Sequence, residues 1–239
     1  MSGNTHAGHH GNAYALAPET ALLAAEVATE YRFRILQPDG TPVSSFAEIH
    51  DKQVHLIVVR QDLTGYWHLH PTADANGSWT VLLPALEPGD YRVFADFSPA
   101  ELGESFTVSA GVVVDGDGAA RELPAPLARF EIDGYEVDLT GALVPGQPSR
   151  LAFSVHRAGQ PVTDLQPYLG AYGHLVAVRA GDLAYVHVHP DGSPGDGVTA
   201  PGPEVAFHAH VADPGTYRLF LDFQHGDTVR TAEFTLAAA

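Results

Sequence analysis

At 239 residues and 45% hydrophobic composition, the chain can fill one large domain or two of ordinary size with genuine cores. Asp and Glu outnumber Lys and Arg by 29 to 12, for a formal charge of −17, a field that repels phosphate backbones and anionic lipid and so argues against nucleic acid while favouring cations. Cysteine is absent and Met1 is the only methionine, which excludes disulfides, thiolate zinc sites, cysteine nucleophiles and internal thioether sites for cuprous ion.

Residues 1–13 carry His6, His9 and His10 among Gly and Asn and are expected to be a disordered tail, either a solvated arm or a metal scavenger. No Lys or Arg precedes Arg32, and the apolar stretch 15–28 is interrupted by Pro18, Glu19 and Glu26, so no secretory signal is legible. No apolar run reaches membrane-spanning length, and the chain reads as soluble, without direct membrane insertion. An Ala-rich patch at 21–28 has the only helical periodicity. Tyr31, Phe33 and Ile35 then alternate as in a strand with one buried face. The next segments are 55-HLIVVR-60, the turn 61-QDLTG-65 and 66-YWHLHP-71.

These segments recur. His55 to Arg60 falls on His174 to Arg179, and 66-YWHLHP-71 on 185-YVHVHP-190, both at an offset of 119 (174 − 55 and 187 − 68). Downstream, 88-PGDYRVFADF-97 falls on 214-PGTYRLFLDF-223 at an offset of 126, because the second copy has a longer Gly/Pro loop at 190–203. Short alternating strands with turn residues at each end point to an all-β fold of two tandem antiparallel β-sandwich domains, immunoglobulin-like or cupredoxin-like, with a barrel as the alternative. The expected divisions are 14–112 for the first repeat, 113–126 for an Asp/Gly/Pro-rich linker and 127–239 for the second repeat.

Residues i and i+2 of a strand share a face, so His68 and His70 point the same way. A hairpin about 61–65 opposes residues whose numbers sum to about 125, which sets His55 across from His70. The turn at 180–183 opposes residues summing to 363, which sets His174 across from His189. Three imidazoles on one face can converge on a zinc or cupric ion at about 2 Å. The second copy adds His208 and His210, where the first aligns Leu82 and Pro84, and is expected to be the better-equipped site. Asp96 and Asp222 interrupt apolar strands at aligned positions and are candidate ligands or orienting partners for the imidazoles. The metal set is thus His174, His187, His189, His208, His210 and Asp222, with His55, His68, His70 and Asp96 as the weaker counterpart. A structural alternative stays open, in which the same histidines and aspartates form a satisfied polar network. His50, His156 and His225 stand alone and are expected at the surface.

The segments 55-HLIVVR-60, 66-YWHLHP-71, 167-PYLGAYGHLVAVRAGDLAYVHVHP-190 and 215-GTYRLFLDFQHGDTVRTAEFTL-236 resemble a family of bacterial tandem β-sandwich proteins, largely uncharacterised or labelled heavy-metal-binding. That resemblance implies an extracytoplasmic setting at the cell envelope and metal handling, copper before zinc. Three functions compete: a non-catalytic metal-binding carrier or accessory, a protein-interaction module with structural histidines, and a copper-dependent redox enzyme. The enzyme reading is disfavoured, since the cysteine pair of the copper/zinc superoxide dismutases and the glutamate that follows His-x-His in cupins are both missing, as is any Ser-His-Asp order.

Overall fold

The computed structural model describes residues 14–239, so the expected tail at 1–13 lies outside the described residues. It contains strands and no helix among those residues. Contacts divide the described residues into two units, one of residues 14–49, 53–59 and 67–119 and the other of residues 50–52, 60–66 and 120–239.

The first unit is built from β1 (Ala15–Pro18), β2 (Leu22–Leu23), β3 (Thr29–Leu36), β4 (Phe46–Ala47), β5 (Val54–Arg60), β6 (Tyr66–Leu69), β7 (Thr72–Ala73), β8 (Trp79–Leu83), β9 (Gly89–Pro99) and β10 (Phe106–Val114), except that Arg60 and Tyr66, at the ends of β5 and β6, group with the second unit. One sheet runs β1-β3-β8-β7; the other runs β2-β10-β9-β5-β6, with β4 on β9. All pairings with a defined register are antiparallel except β2 with β10. The Ala-rich patch at 21–28 is therefore not helical. Leu22–Leu23 pairs in parallel with Val113–Val114, and Glu26 turns the chain at φ 56 while its amide donates to the Leu86 carbonyl at 2.8 Å. Tertiary pairing overrides local propensity there.

Alternation supplies the core. Tyr31, Phe33 and Ile35 of β3 are fully buried between exposed neighbours and meet Leu56 and Val58 of β5, Trp79 of β8 and Tyr91, Val93 and Phe97 of β9. β5 is exceptional, because His55, Ile57 and Val59 on its other face are buried as well.

The second unit repeats this plan with β11 (Arg129–Ile132), β12 (Tyr135–Gly141), β13 (Pro148–Arg157), β14 (Gln160–Pro161), β15 (His174–Arg179), β16 (Tyr185–Val186), β17 (Val188–Pro190), β18 (Glu204–His210), β19 (Gly215–His225) and β20 (Thr228–Ala238). Its sheets run β11-β12-β13-β18-β17 and β16-β15-β19-β20. The orders β12-β13-β18-β17 and β20-β19-β15-β16 reproduce β1-β3-β8-β7 and β10-β9-β5-β6, so the duplication read from the offsets is a duplication of topology. Phe153, Phe207, Leu219, Phe223 and Phe234, from both sheets, fill the shared core.

Candidate metal centre

In the first unit the strands deliver three histidines to one place. His55 sits on β5, an inner strand; His68 is on β6 beside it, and His70 follows that strand directly. The Arg60 amide donates to the Gly65 carbonyl at 3.0 Å, and 60 + 65 gives the sum of 125 that sets His55 opposite His70. Ring centroids lie 5.2 Å apart for His55 and His68, 5.1 Å for His55 and His70, and 4.8 Å for His68 and His70. One nitrogen from each ring falls within 4.8 Å of the other two. Apolar Leu56, Val58, Trp67 and Leu69 occupy the opposite, core-facing side of the hairpin.

His55 is the best-fixed of the three, at 2% exposure. Its Nε2 lies 2.8 Å from the Ile49 carbonyl oxygen, and a carbonyl only accepts, so Nε2 carries the proton. Nδ1 then presents its lone pair to His68 Nε2 at 3.0 Å. A backbone acceptor that fixes the tautomer and aims the opposite nitrogen is the arrangement expected behind a metal ligand. Ile49 was not visible as a functional position in the sequence, because any residue supplies a carbonyl. The turn after it is marked only by two consecutive left-handed residues, His50 at φ 49 and Asp51 at φ 63.

The two conspicuous aspartates share one device. Asp96 on β9 accepts a hydrogen bond from Thr107, its cross-strand partner on β10, at 3.2 Å. Asp222 on β19 accepts one from Thr231, its cross-strand partner on β20, at 2.6 Å. Thr107 and Thr231 escaped the sequence reading, since threonine is an ordinary strand residue. Asp222 is 2% exposed and lies directly across the ladder from His174. Also within the second unit, the Tyr66 ring stacks flat on Phe220, with centroids 4.2 Å apart, and its hydroxyl stands 3.4 Å from the second Asp222 oxygen. Burial, then the Asp222 charge, raises the Tyr66 phenol well above its usual range and pushes Tyr168 up to about 12, so both hydroxyls stay protonated around the carboxylate. Asp222 is thereby a buried, hydrogen-bonded carboxyl group beside His174.

Among the described residues, no cluster of three donor atoms combines His174 with His187, His189, His208 or His210. The β15–β16 hairpin does follow the sum of 363, with Ala177 opposite Val186 and Val178 opposite Tyr185. The chain then leaves that sheet at His187. Val188–Pro190 pairs with β18 of the other sheet, placing Val188 across from Ala209, His189 across from His208 and Pro190 across from Phe207. Leu175 and Ala177 face the core from one sheet, and Phe207 and Ala209 face it from the other. His174 and His189 therefore point away from that core on different sheets. His187, His189, His208 and His210 are all exposed. The expected hairpin register of His174 with His189 is not continued as a ladder past Val186, because the strand breaks at His187 and the i, i+2 rule holds only along an unbroken strand. In the first copy the corresponding change of sheet comes later, between Leu69 and Thr72, with His68 on β6 beside β5 and His70 directly after that strand.

His225 also departs from its expected surface position. Tyr135 and Asp164 hold its two ring nitrogens at 2.7 and 3.0 Å, and its side chain is 17% exposed.

No curated protein matches the sequence. Among solved structures, the chain is similar to the adhesin FdeC of Escherichia coli at 14% identity, covering 95% of this chain and 64% of that one, with a TM-score of 0.29. A bacterial invasin described as integrin-binding matches at 12% identity over 93% of this chain and 39% of its own, with a TM-score of 0.26. A putative membrane-anchored protein of Corynebacterium diphtheriae matches at 8% identity over 95% and 59%, with a TM-score of 0.28. The chain thus spans less than two thirds of the length of each of these structures. Residues 9–116 and 130–239 each match one family, described as a domain of unknown function (DUF8832), and the chain belongs to that family as two tandem copies.

Proposed function

We propose that this protein is a non-catalytic binder of a divalent transition metal, cupric ion first and zinc second, acting as a carrier or accessory at the cell envelope. The observation that carries the reading is the His55, His68 and His70 triad, with one nitrogen of each ring within 4.8 Å of the others and His55 aimed by the Ile49 carbonyl. Three imidazoles without a thiolate or thioether suit cupric and zinc ions rather than cuprous ion. The net charge of −17 favours any cation. Imidazole coordinates only when neutral, so affinity falls as pH drops through the histidine range near 6.5.

The test is calorimetric titration with cupric and zinc salts of the full chain carrying His6, His9 and His10→Ala, beside the same protein with His68→Ala and His70→Ala. His55 is left intact because it also holds the strand. One ion bound more tightly than about 10 μM and lost in the double variant supports the reading. Absence of such binding, or equal binding by the double variant, removes the site and leaves an interaction module with structural histidines. Dismutation or oxidation by the copper-loaded protein at enzymatic rates would replace the carrier with a redox enzyme.

A further inference from the structure

The strand that changes sheets at His187 sets up a separate arrangement on the outer face of the second unit. His189 and His208 are directly opposed across the β17–β18 ladder, and both are exposed. Directly opposed residues of an antiparallel pair point to the same face, with β-carbons about 4.5–5.5 Å apart. The neighbouring pair, Val188 and Ala209, faces the core, which confirms that the histidines face outward. The ladder continues one step further, with the Asp191 amide donating to the Ala206 carbonyl at 2.8 Å. Asp191 lies two residues beyond His189, on the same side. Its Oδ2 stands 3.8 Å from His208 Nε2, inside the limit of about 4.1 Å for two atoms each bonded at about 2 Å to one ion.

We propose that His189 and His208, with Asp191 as a third donor, form a second divalent-metal site on this face, for cupric or zinc ion, independent of the first-unit triad. Arg150 is a neighbouring cation. Its Nε is 3.5 Å from Asp191 Oδ2, while its Nη2 donates to Glu204 at 2.9 Å. Glu204 keeps the guanidinium when Asp191 turns to an ion, and two carboxylates against one arginine leave the patch negative. The donors are solvent-exposed and must lose side-chain freedom to converge, so this site is weaker than the buried triad. His210 lies two residues along β18 on the same face, opposite Pro148, one ladder step beyond the pair.

The experiment uses the full chain with His6, His9, His10, His68 and His70 all replaced by Ala, so that neither the tail nor the triad contributes. Equilibrium dialysis against zinc, and electron paramagnetic resonance of added cupric ion, read the remaining site. One zinc equivalent should bind, with nitrogen hyperfine structure on the copper signal. His189→Ala and His208→Ala should each weaken zinc binding tenfold or more, Asp191→Asn should weaken it less, and His210→Ala should leave it unchanged. Binding that survives both His189→Ala and His208→Ala, binding abolished by His210→Ala alone, or no zinc equivalent in the parent variant would each overturn the proposal. The triad is tested separately by titrating His189→Ala/His208→Ala with His68 and His70 intact, so failure of one site is distinguishable from failure of the other.

Discussion

Replacing His55 with Ala is expected to lower the urea midpoint of the first unit by about 2 M. The ring is 2% exposed, sits on a strand buried on both faces, and makes polar contacts to the Ile49 carbonyl at 2.8 Å and to His68 at 3.0 Å. Two hydrogen bonds at about 1 kcal/mol each and roughly 1 kcal/mol for the incompletely filled void sum to about 3 kcal/mol. With an m-value of about 1.5 kcal/mol per molar urea for a unit of this size, that is a shift of about 2 M. Both tryptophans, Trp67 and Trp79, belong to the first unit, so fluorescence excited selectively at tryptophan follows its unfolding without a contribution from the second. Zinc at a hundredfold excess over its dissociation constant should stabilise the parent unit by about 2.7 kcal/mol and leave the His55→Ala unit unmoved. A midpoint shift below about 0.5 M would refute the assignment of His55 as the fixed member of the triad.

Three further outcomes follow from the second unit. His225→Ala should lower its calorimetric melting temperature by about 5 °C through loss of the Tyr135 and Asp164 contacts; Asp164→Asn should cost less than half of that because Asp164 is exposed, and equal losses would contradict the description. Thr199, through its hydroxyl and amide, together with the Val198 and Ser193 amides, holds the Asp196 carboxyl well below the usual carboxylate range. Its stabilisation of the loop is therefore complete above about pH 3.9 and lost as pH falls through the folded value, so a side-chain carbon NMR titration with a midpoint near 4 would falsify the loop geometry. Arg218 is buried against Glu233, whose carboxyl is raised by burial in spite of that partner. Arg218→Met should raise it further and cost about 3 kcal/mol at pH 7. A carboxyl whose folded pKa exceeds its unfolded one loses stability as pH rises through the folded value, so the cost should shrink near pH 4, and denaturation curves showing the same cost at both pH values would refute the pairing.

The alternation of Tyr31, Phe33 and Ile35 and the two hairpin sums were legible because strand periodicity and turn position are local properties. The first-unit triad was legible for the same reason: His55, His68 and His70 lie on one hairpin whose register the turn at 61–65 sets. The change of sheet at His187 was not. Core-facing Trp67 and Leu69 in the first copy align with core-facing Val186 and Val188 in the second, so the apolar pattern is the same whether the segment pairs with its hairpin partner or crosses to β18. The partner that decides the matter lies beyond the long 190–203 loop, and pairing across such a distance leaves no periodic trace. The Ile49 carbonyl and the Thr107 and Thr231 hydroxyls were hidden differently, since a backbone acceptor and a strand threonine carry no compositional signal.

The position of the sheet change bears on how duplicated repeats diverge. Both copies keep His-x-His-Pro, with Trp67 and Leu69 of the first replaced by Val186 and Val188 in the second, and they differ in how far along the motif the chain crosses over. The solvent-facing pair of His189 and His208 therefore depends both on where the chain crosses over and on the residue at 208, since the first copy aligns Leu82 there. Two copies of His-x-His-Pro in one sequence therefore need not be two copies of one histidine arrangement.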